Sequence, residues 1–221
     1  MTDLYLFYIN GEKYEELLKE KYPLLPRIIK EKIDKTKDEK TKIERLFSYS
    51  YLFDLLLKKG VSKEEQNLNF SFGEHGKPYL KNNSLNFSLS HSEDIVAIAV
   101  AKDKKVGVDV EFIDIKKEKS IEKILSRFLS DVDLKNIKIA QNVNINLNFD
   151  TEKIKNVKNN EEKSLYTDFF KWTHLEALLK CDGGGFCSVS NKSDILKKTE
   201  VISYAFELKN KSFAVSLVKE I

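Results

Sequence analysis

The residues best suited to chemistry lie in the run Val106-Gly107-Val108-Asp109-Val110-Glu111. Valine at every second position predicts a strand, and alternate side chains of a strand share a face. Val106, Val108 and Val110 then point to a core, while Gly107, Asp109 and Glu111 face the other way. The two carboxylates stand about 7 Å apart at their Cα atoms on the rise of a strand. Paired carboxylates beside a glycine that admits a bulky neighbour suit Mg²⁺, which takes oxygen ligands and is held by one or two carboxylates plus substrate phosphates. On the spacing alone, solvated acids on an edge strand are the plainer reading.

A second group falls in the helical stretch Asp168–Lys180. Thr173, Glu176 and Lys180 at i, i+3 and i+7 put a hydroxyl, a carboxylate and an ammonium on one face. Phe169, Trp172, Leu175 and Leu179 make the apolar side. Alone, Glu176 and Lys180 form only an i,i+4 surface pair, worth a few tenths of a kcal/mol. A third group is Asn86-Phe87-Ser88-Leu89-Ser90-His91-Ser92, in which His91 by itself reads as a surface histidine. Gly76-Lys77-Pro78 by itself reads as a turn.

The elements that must position these groups follow from periodicity. Leu4 to Ile9 predicts a short strand ended at Asn10-Gly11. Glu12 to Lys59 predicts helices, broken at Pro23 and Pro26 and stopped at Gly60. Leu85–Ser90, Ile95–Ala101 and Val106–Glu111 predict three strands joined by polar turns. Ile121, Ile124, Leu125, Phe128 and Leu129 mark an amphipathic helix. The Asn/Lys-rich stretch from 141 to 163 predicts a mobile insertion or short hairpin. Asp168–Lys180 closes at Gly183-Gly184-Gly185, and Ile202–Leu208 and Phe213–Val218 predict a final hairpin. Phe87 to Val100 and Tyr204 to Val218 repeat one pattern of strand, turn and strand after helix. The expectation is an α+β protein of two similar halves, 1–105 and 106–221.

Composition bounds the rest. A chain of 221 residues with 41% hydrophobic and 33% charged residues can bury its own core and is neither collagen-like nor wholly disordered. The 38 basic and 35 acidic residues leave a formal charge of +3. Only Arg27, Arg45 and Arg127 are arginine, too few for a dedicated nucleic-acid reader. Cys181 and Cys187 make no secreted disulfide framework, and with His75, His91 and His174 they give no convincing zinc spacing. No run approaches the ~18 apolar residues of a membrane span. These features predict a soluble cytoplasmic protein that uses neither membrane nor nucleic acid.

In their order along the chain the motifs resemble those of the 4′-phosphopantetheinyl transferases, in the larger Sfp type with two fused halves. The resemblance rests on Gly76-Lys77-Pro78, Asn86 to Ser92, Gly107-Val108-Asp109-Val110-Glu111, Trp172 to Lys180, and Gly183-Gly184-Gly185-Phe186. Leu175 stands where family members usually carry lysine, and residues 141–163 lengthen the stretch before the last helix.

The resemblance implies a pseudo-dimeric α+β fold. It implies transfer of the phosphopantetheine arm of coenzyme A to a serine of an acyl, peptidyl or aryl carrier protein, with release of adenosine 3′,5′-bisphosphate. Asp109, Glu111 and Glu176 would hold Mg²⁺ (or Mn²⁺), with Asp109, Glu176 and Lys180 catalytic. Ser90 and His91 would contact the pyrophosphate or 3′-phosphate, and Lys77 and Pro78 the nucleotide end. Arg45 and Lys32, with Arg27 and Lys30 nearby, would form a basic group for the 3′-phosphate. The apolar face of Lys116–Leu129 is expected to dock a carrier helix, and fused halves imply a monomer. The alternative on the same scaffold is a non-catalytic protein that binds coenzyme A or a carrier.

Overall fold

The computed structural model describes residues 2–128, 138–139, 143–148, 155–156, 163–184 and 198–221. Gly185, Phe186, Cys187, Leu129 and most of the expected 141–163 insertion lie outside the described residues. The chain is mixed α+β. Eleven strands are described: β1 (Thr2–Tyr8), β2 (Phe70–Phe72), β3 (Pro78–Leu80), β4 (Leu85–Ser92), β5 (Ile95–Lys102), β6 (Val106–Phe112), β7 (Lys138–Ile139), β8 (Val143–Asn148), β9 (Lys155–Asn156), β10 (Thr199–Leu208) and β11 (Lys211–Glu220). The α-helices are α1 (Tyr14–Glu20), α2 (Arg27–Asp34), α3 (Glu39–Lys58), α4 (Lys63–Asn69), α5 (Glu118–Phe128) and α6 (Lys163–Asp182).

Two sheets form the centre. The first runs β4-β5-β1-β8, and the second β6-β11-β10-β7, with β9 on β10. β1 lies antiparallel to β5 and parallel to β8, so the alternation of Val143, Ile145 and Leu147 belongs to a strand. β1 and β5 are largely buried on both faces, since helices cover one side of this sheet and the second sheet covers the other. Leu4, Leu6, Ile95, Ala97, Ala99 and Ala101 face the second sheet, where they meet Val106, Val108, Val110, Phe206, Phe213, Val215 and Leu217. Phe7, Val96, Ile98 and Val100 face α2 and α3, against Ile29, Ile33, Phe47, Leu52 and Leu56. The second sheet turns its other face to α6. The layers are therefore helix, sheet, sheet, helix, each apolar stripe covered by the next layer.

Local signals set the ends of these elements. Asp38 caps α3 by accepting from Thr41 N at 2.7 Å. α4, which periodicity did not predict, starts at a capping box of Ser62 and Glu65. α6 stops where Gly183 takes a φ of +86°, its N–H bonded to Leu179 O at 2.9 Å. The β10–β11 hairpin turns on Lys209 and Asn210, both left-handed. Among the described residues no helix is long and apolar enough to cross a membrane.

Candidate active site

β6 is an edge strand, yet its acids are not solvated. α6 lies across Gly107, Asp109 and Glu111, and Asp109 is only 4% exposed. The approach depends on Gly107. A Cβ built there would stand 1.9 Å from Ala177 O and 2.4 Å from Cys181 N, both backbone atoms of α6. The missing side chain lets helix and strand backbones touch and brings the carboxylates of β6 under the polar face of α6.

Ser90, Asp109 and Lys180 close into a triangle. Ser90 Oγ donates to Asp109 Oδ1 at 2.7 Å. Lys180 Nζ lies 2.6 Å from the same Oδ1 and 3.0 Å from Ser90 Oγ. Lys180 thus pairs across to β6 instead of forming the surface pair with Glu176 that helix spacing alone suggests. Asp109 Oδ2 is buried and has no hydrogen-bond partner among the described residues. Glu111 accepts from Ser92 Oγ at 3.1 Å. Burial, then the charge of Asp109, pushes the Glu111 carboxyl up, while Ser92, Lys117 and the Trp172 side chain pull it down. Glu176 is raised for the same two reasons, with Lys180 opposing.

Among the described residues no group of three or more His, Cys, Asp and Glu side chains is disposed as a ready metal site. The donor set nevertheless fits a hard cation. A buried oxygen of Asp109 lacks a hydrogen-bond partner among the described residues, and burial, then the charge of Asp109, makes the Glu111 and Glu176 carboxyls less acidic. A divalent ion among Asp109, Glu111 and Glu176 would relieve both conditions, and all-oxygen ligands suit Mg²⁺ or Mn²⁺.

A cavity of about 250 Å³ opens beside this triangle. The loop before β3 gives it His75, Gly76 and Lys77, and β3 gives Pro78; β4 gives Ser88 and Leu89; α6 gives Glu176, Leu179 and Lys180, with Gly183 just past its end. Three motifs separated in the sequence thus share one wall. His75 and Ser88 were not singled out by the sequence, although the alternation of Ser88, Ser90 and Ser92 on one face of β4 was visible in it.

No family model matches the chain, and no curated protein matches it.

The remaining expected site residues stand elsewhere. Lys77 lends its stem to the cavity, but its ammonium is spent on backbone, donating to Val106 O at 3.1 Å and Cys181 O at 3.4 Å. Burial lowers its pKa. His91 points from β4 toward α3, with Nδ1 3.3 Å from Glu44 Oε2. Lys32 and Arg45 sit together between α2 and α3, outside the cavity wall. Arg45 donates to Lys32 O and to Thr36 Oγ1. Lys32 Nζ lies 4.0 Å over the Phe72 ring, and burial, then the charge of Arg45, lowers its pKa. Phe72 ends β2 and pairs with Pro78, so this basic pair lies against the β2–β3 hairpin whose loop carries Lys77.

Two expectations change. Ile121 and Leu125, offered as a docking face for a carrier, are buried with Ile113 and Phe169 because α5 packs on α6. Ile115, just before α5, is 67% exposed. Leu175, in the position where lysine was expected, is 1% exposed and faces that same cluster, away from the carboxylates.

Proposed function

We propose that this protein transfers the 4′-phosphopantetheine arm of coenzyme A to a serine of an apo carrier protein, releasing adenosine 3′,5′-bisphosphate. One observation carries the reading. Ser90, Asp109 and Lys180, from three separate motifs, bond to one another at the edge of a cavity that Glu176 and the Gly76–Pro78 loop also line. Within this reading the two sheets are centred on fused halves, 1–105 and 106–221, with β8 of the second half added to the first sheet, and the protein is a cytoplasmic monomer of the pseudo-dimeric transferase fold.

Asp109, Glu111 and Glu176 would hold Mg²⁺, which when bound neutralises charge on the pyrophosphate. The carrier serine oxygen bonds to the phosphorus that bears pantetheine, and the bond from that phosphorus to the nucleotide phosphate oxygen breaks. The serine proton passes to Glu176, directly or through water. Lys180 supplies a positive charge to the phosphates from the next turn of α6. Ser90 and the Gly76–Pro78 turn would bind and orient the nucleotide, and Lys32, Arg45 and His91, which stand outside the cavity wall, would be reached by a 3′-phosphate that extends past it. Positioning and fixed charge supply most of the acceleration in such transfers.

The test is incubation with coenzyme A, Mg²⁺ and several classes of apo carrier protein, read by mass spectrometry for the phosphopantetheine increment. Transfer to at least one class is expected, and Asp109→Ala should lose it by more than a hundredfold while keeping its circular dichroism spectrum. Absence of transfer to every class, with coenzyme A bound, would instead favour the non-catalytic binding protein.

A further inference from the structure

Lys180 has a second role in this site, and it rests on the reading above. Its ammonium is seated on Asp109 Oδ1 at 2.6 Å and held there by Ser90 Oγ at 3.0 Å. A monovalent cation of the protein therefore occupies the carboxylate that leads the proposed metal set. The neutralisation is incomplete. Asp109 Oδ2, buried, has no hydrogen-bond partner among the described residues. Lysine is a compact charge on a flexible four-carbon stem. The Lys180 residue also lines the cavity with Glu176, Leu179 and Gly183, so one flexible stem serves both Asp109 and the cavity.

We infer that Lys180 is a displaceable counter-ion: it holds Asp109 in the metal-free protein and turns to the phosphates of the cavity ligand when a divalent ion takes its place. The consequence is thermodynamic. A divalent ion entering alone must break the Lys180–Asp109 pair and strand the ammonium, which weakens binding to the free protein. A phosphate-bearing ligand gives the displaced ammonium a new partner. Ion and ligand then strengthen one another's binding by the same factor, as linkage requires.

The experiment titrates Mn²⁺ into wild type and Lys180→Gln, with and without coenzyme A, and reads free Mn²⁺ by electron paramagnetic resonance. Without coenzyme A, K180Q should bind Mn²⁺ about tenfold more tightly than wild type, within the usual range of coupling factors. The strengthening that coenzyme A brings to wild type should shrink in K180Q by a similar factor. Equal or weaker Mn²⁺ binding by a folded K180Q overturns the inference. Should the variant not fold, the Lys180 ammonium signal in ¹⁵N spectra of wild type decides. It should shift when Mg²⁺ and coenzyme A are added together, and a signal unmoved by both overturns the inference. Transfer activity of the same wild-type sample separates the two readings. Tighter Mn²⁺ binding by K180Q in a protein without transferase activity would sink the transferase assignment and keep the counter-ion.

Discussion

At the scale of single residues, charge follows cover. An aspartate on an edge strand ordinarily keeps its water, and the spacing of Asp109 and Glu111 alone favoured that outcome. Helix α6 removes the water, and Ser90 and Lys180 replace part of it. Burial also acts on His174 of α6, two residues before Glu176, which is 7% exposed and whose pKa it pushes down to about 4. Its neutral form is the one that packs, so the unfolded chain takes up a proton at a pH where the folded chain does not. Stability from this residue is therefore intact above about 6.5 and lost as pH falls from there toward about 4. The loss approaches about 1.4 kcal/mol per pH unit within that window. Denaturant unfolding of wild type and His174→Leu at several pH values isolates it from the carboxylates, which titrate in both. The difference between the two proteins should shift steadily against wild type below pH 6.5. A difference that stays flat to pH 4 would show that the imidazole is solvated.

At the scale of elements, the docking of α6 on β6 decides the site. Gly107→Ala sets a methyl carbon against the carbonyl oxygen of Ala177 and the amide of Cys181, and backbone cannot turn aside as a side chain would. Overpacking of this kind costs about 1–3 kcal/mol, which lowers Tm by roughly 2–4 °C per kcal/mol in a chain of this size. Moving α6 outward also carries Lys180 away from Asp109, so transfer should fall by far more than the stability loss explains. A G107A protein with wild-type activity and Tm would mean that α6 sits farther out than described. Much of this was legible beforehand. The valine alternation marked β6, and the 3.6 period marked the α6 face on which Thr173, Glu176 and Lys180 fall. The partner of Lys180 was not legible, because periodicity within one helix says nothing about a strand some 70 residues away. The same gap explains α5: its apolar stripe was plain, and the sequence could not tell an internal partner from an external one. α4 carried its signal in Ser62 and Glu65, a local cap without a long periodic run behind it.

At the scale of the whole molecule, two sheets must meet without sharing a backbone ladder. The alanines of β5 and the valines of β6 make the flat, dry part of that junction. The free edge of β6 is closed by side chains from the other sheet and its loop. Lys77 donates to Val106 O, Ser88 Oγ accepts from Val108 N at 3.1 Å, and Ser92 Oγ accepts from Phe112 N at 2.9 Å. Ser90, between those serines, goes to Asp109 instead. An edge strand left open is a template for pairing with another chain, and this molecule caps it with hydroxyls. The pattern Ser88, Ser90, Ser92 was readable as the polar face of a strand, but its direction toward β6 depends on tertiary register and was not. Ser88→Ala removes the acceptor of a buried amide in the seam while changing no charge. An unsatisfied buried donor costs about 1–3 kcal/mol, so the denaturant midpoint should fall. Ser88→Thr retains an acceptor oxygen and should recover most of the loss if its extra methyl is accommodated. Hydrogen exchange gives the sharper readout, since Val108 N–H should lose protection selectively in S88A while amides in the centre of β5 keep theirs. Uniform loss across both sheets would mean that the serine supports global stability only, and unchanged exchange at Val108 would mean that the seam is closed by something other than this hydroxyl.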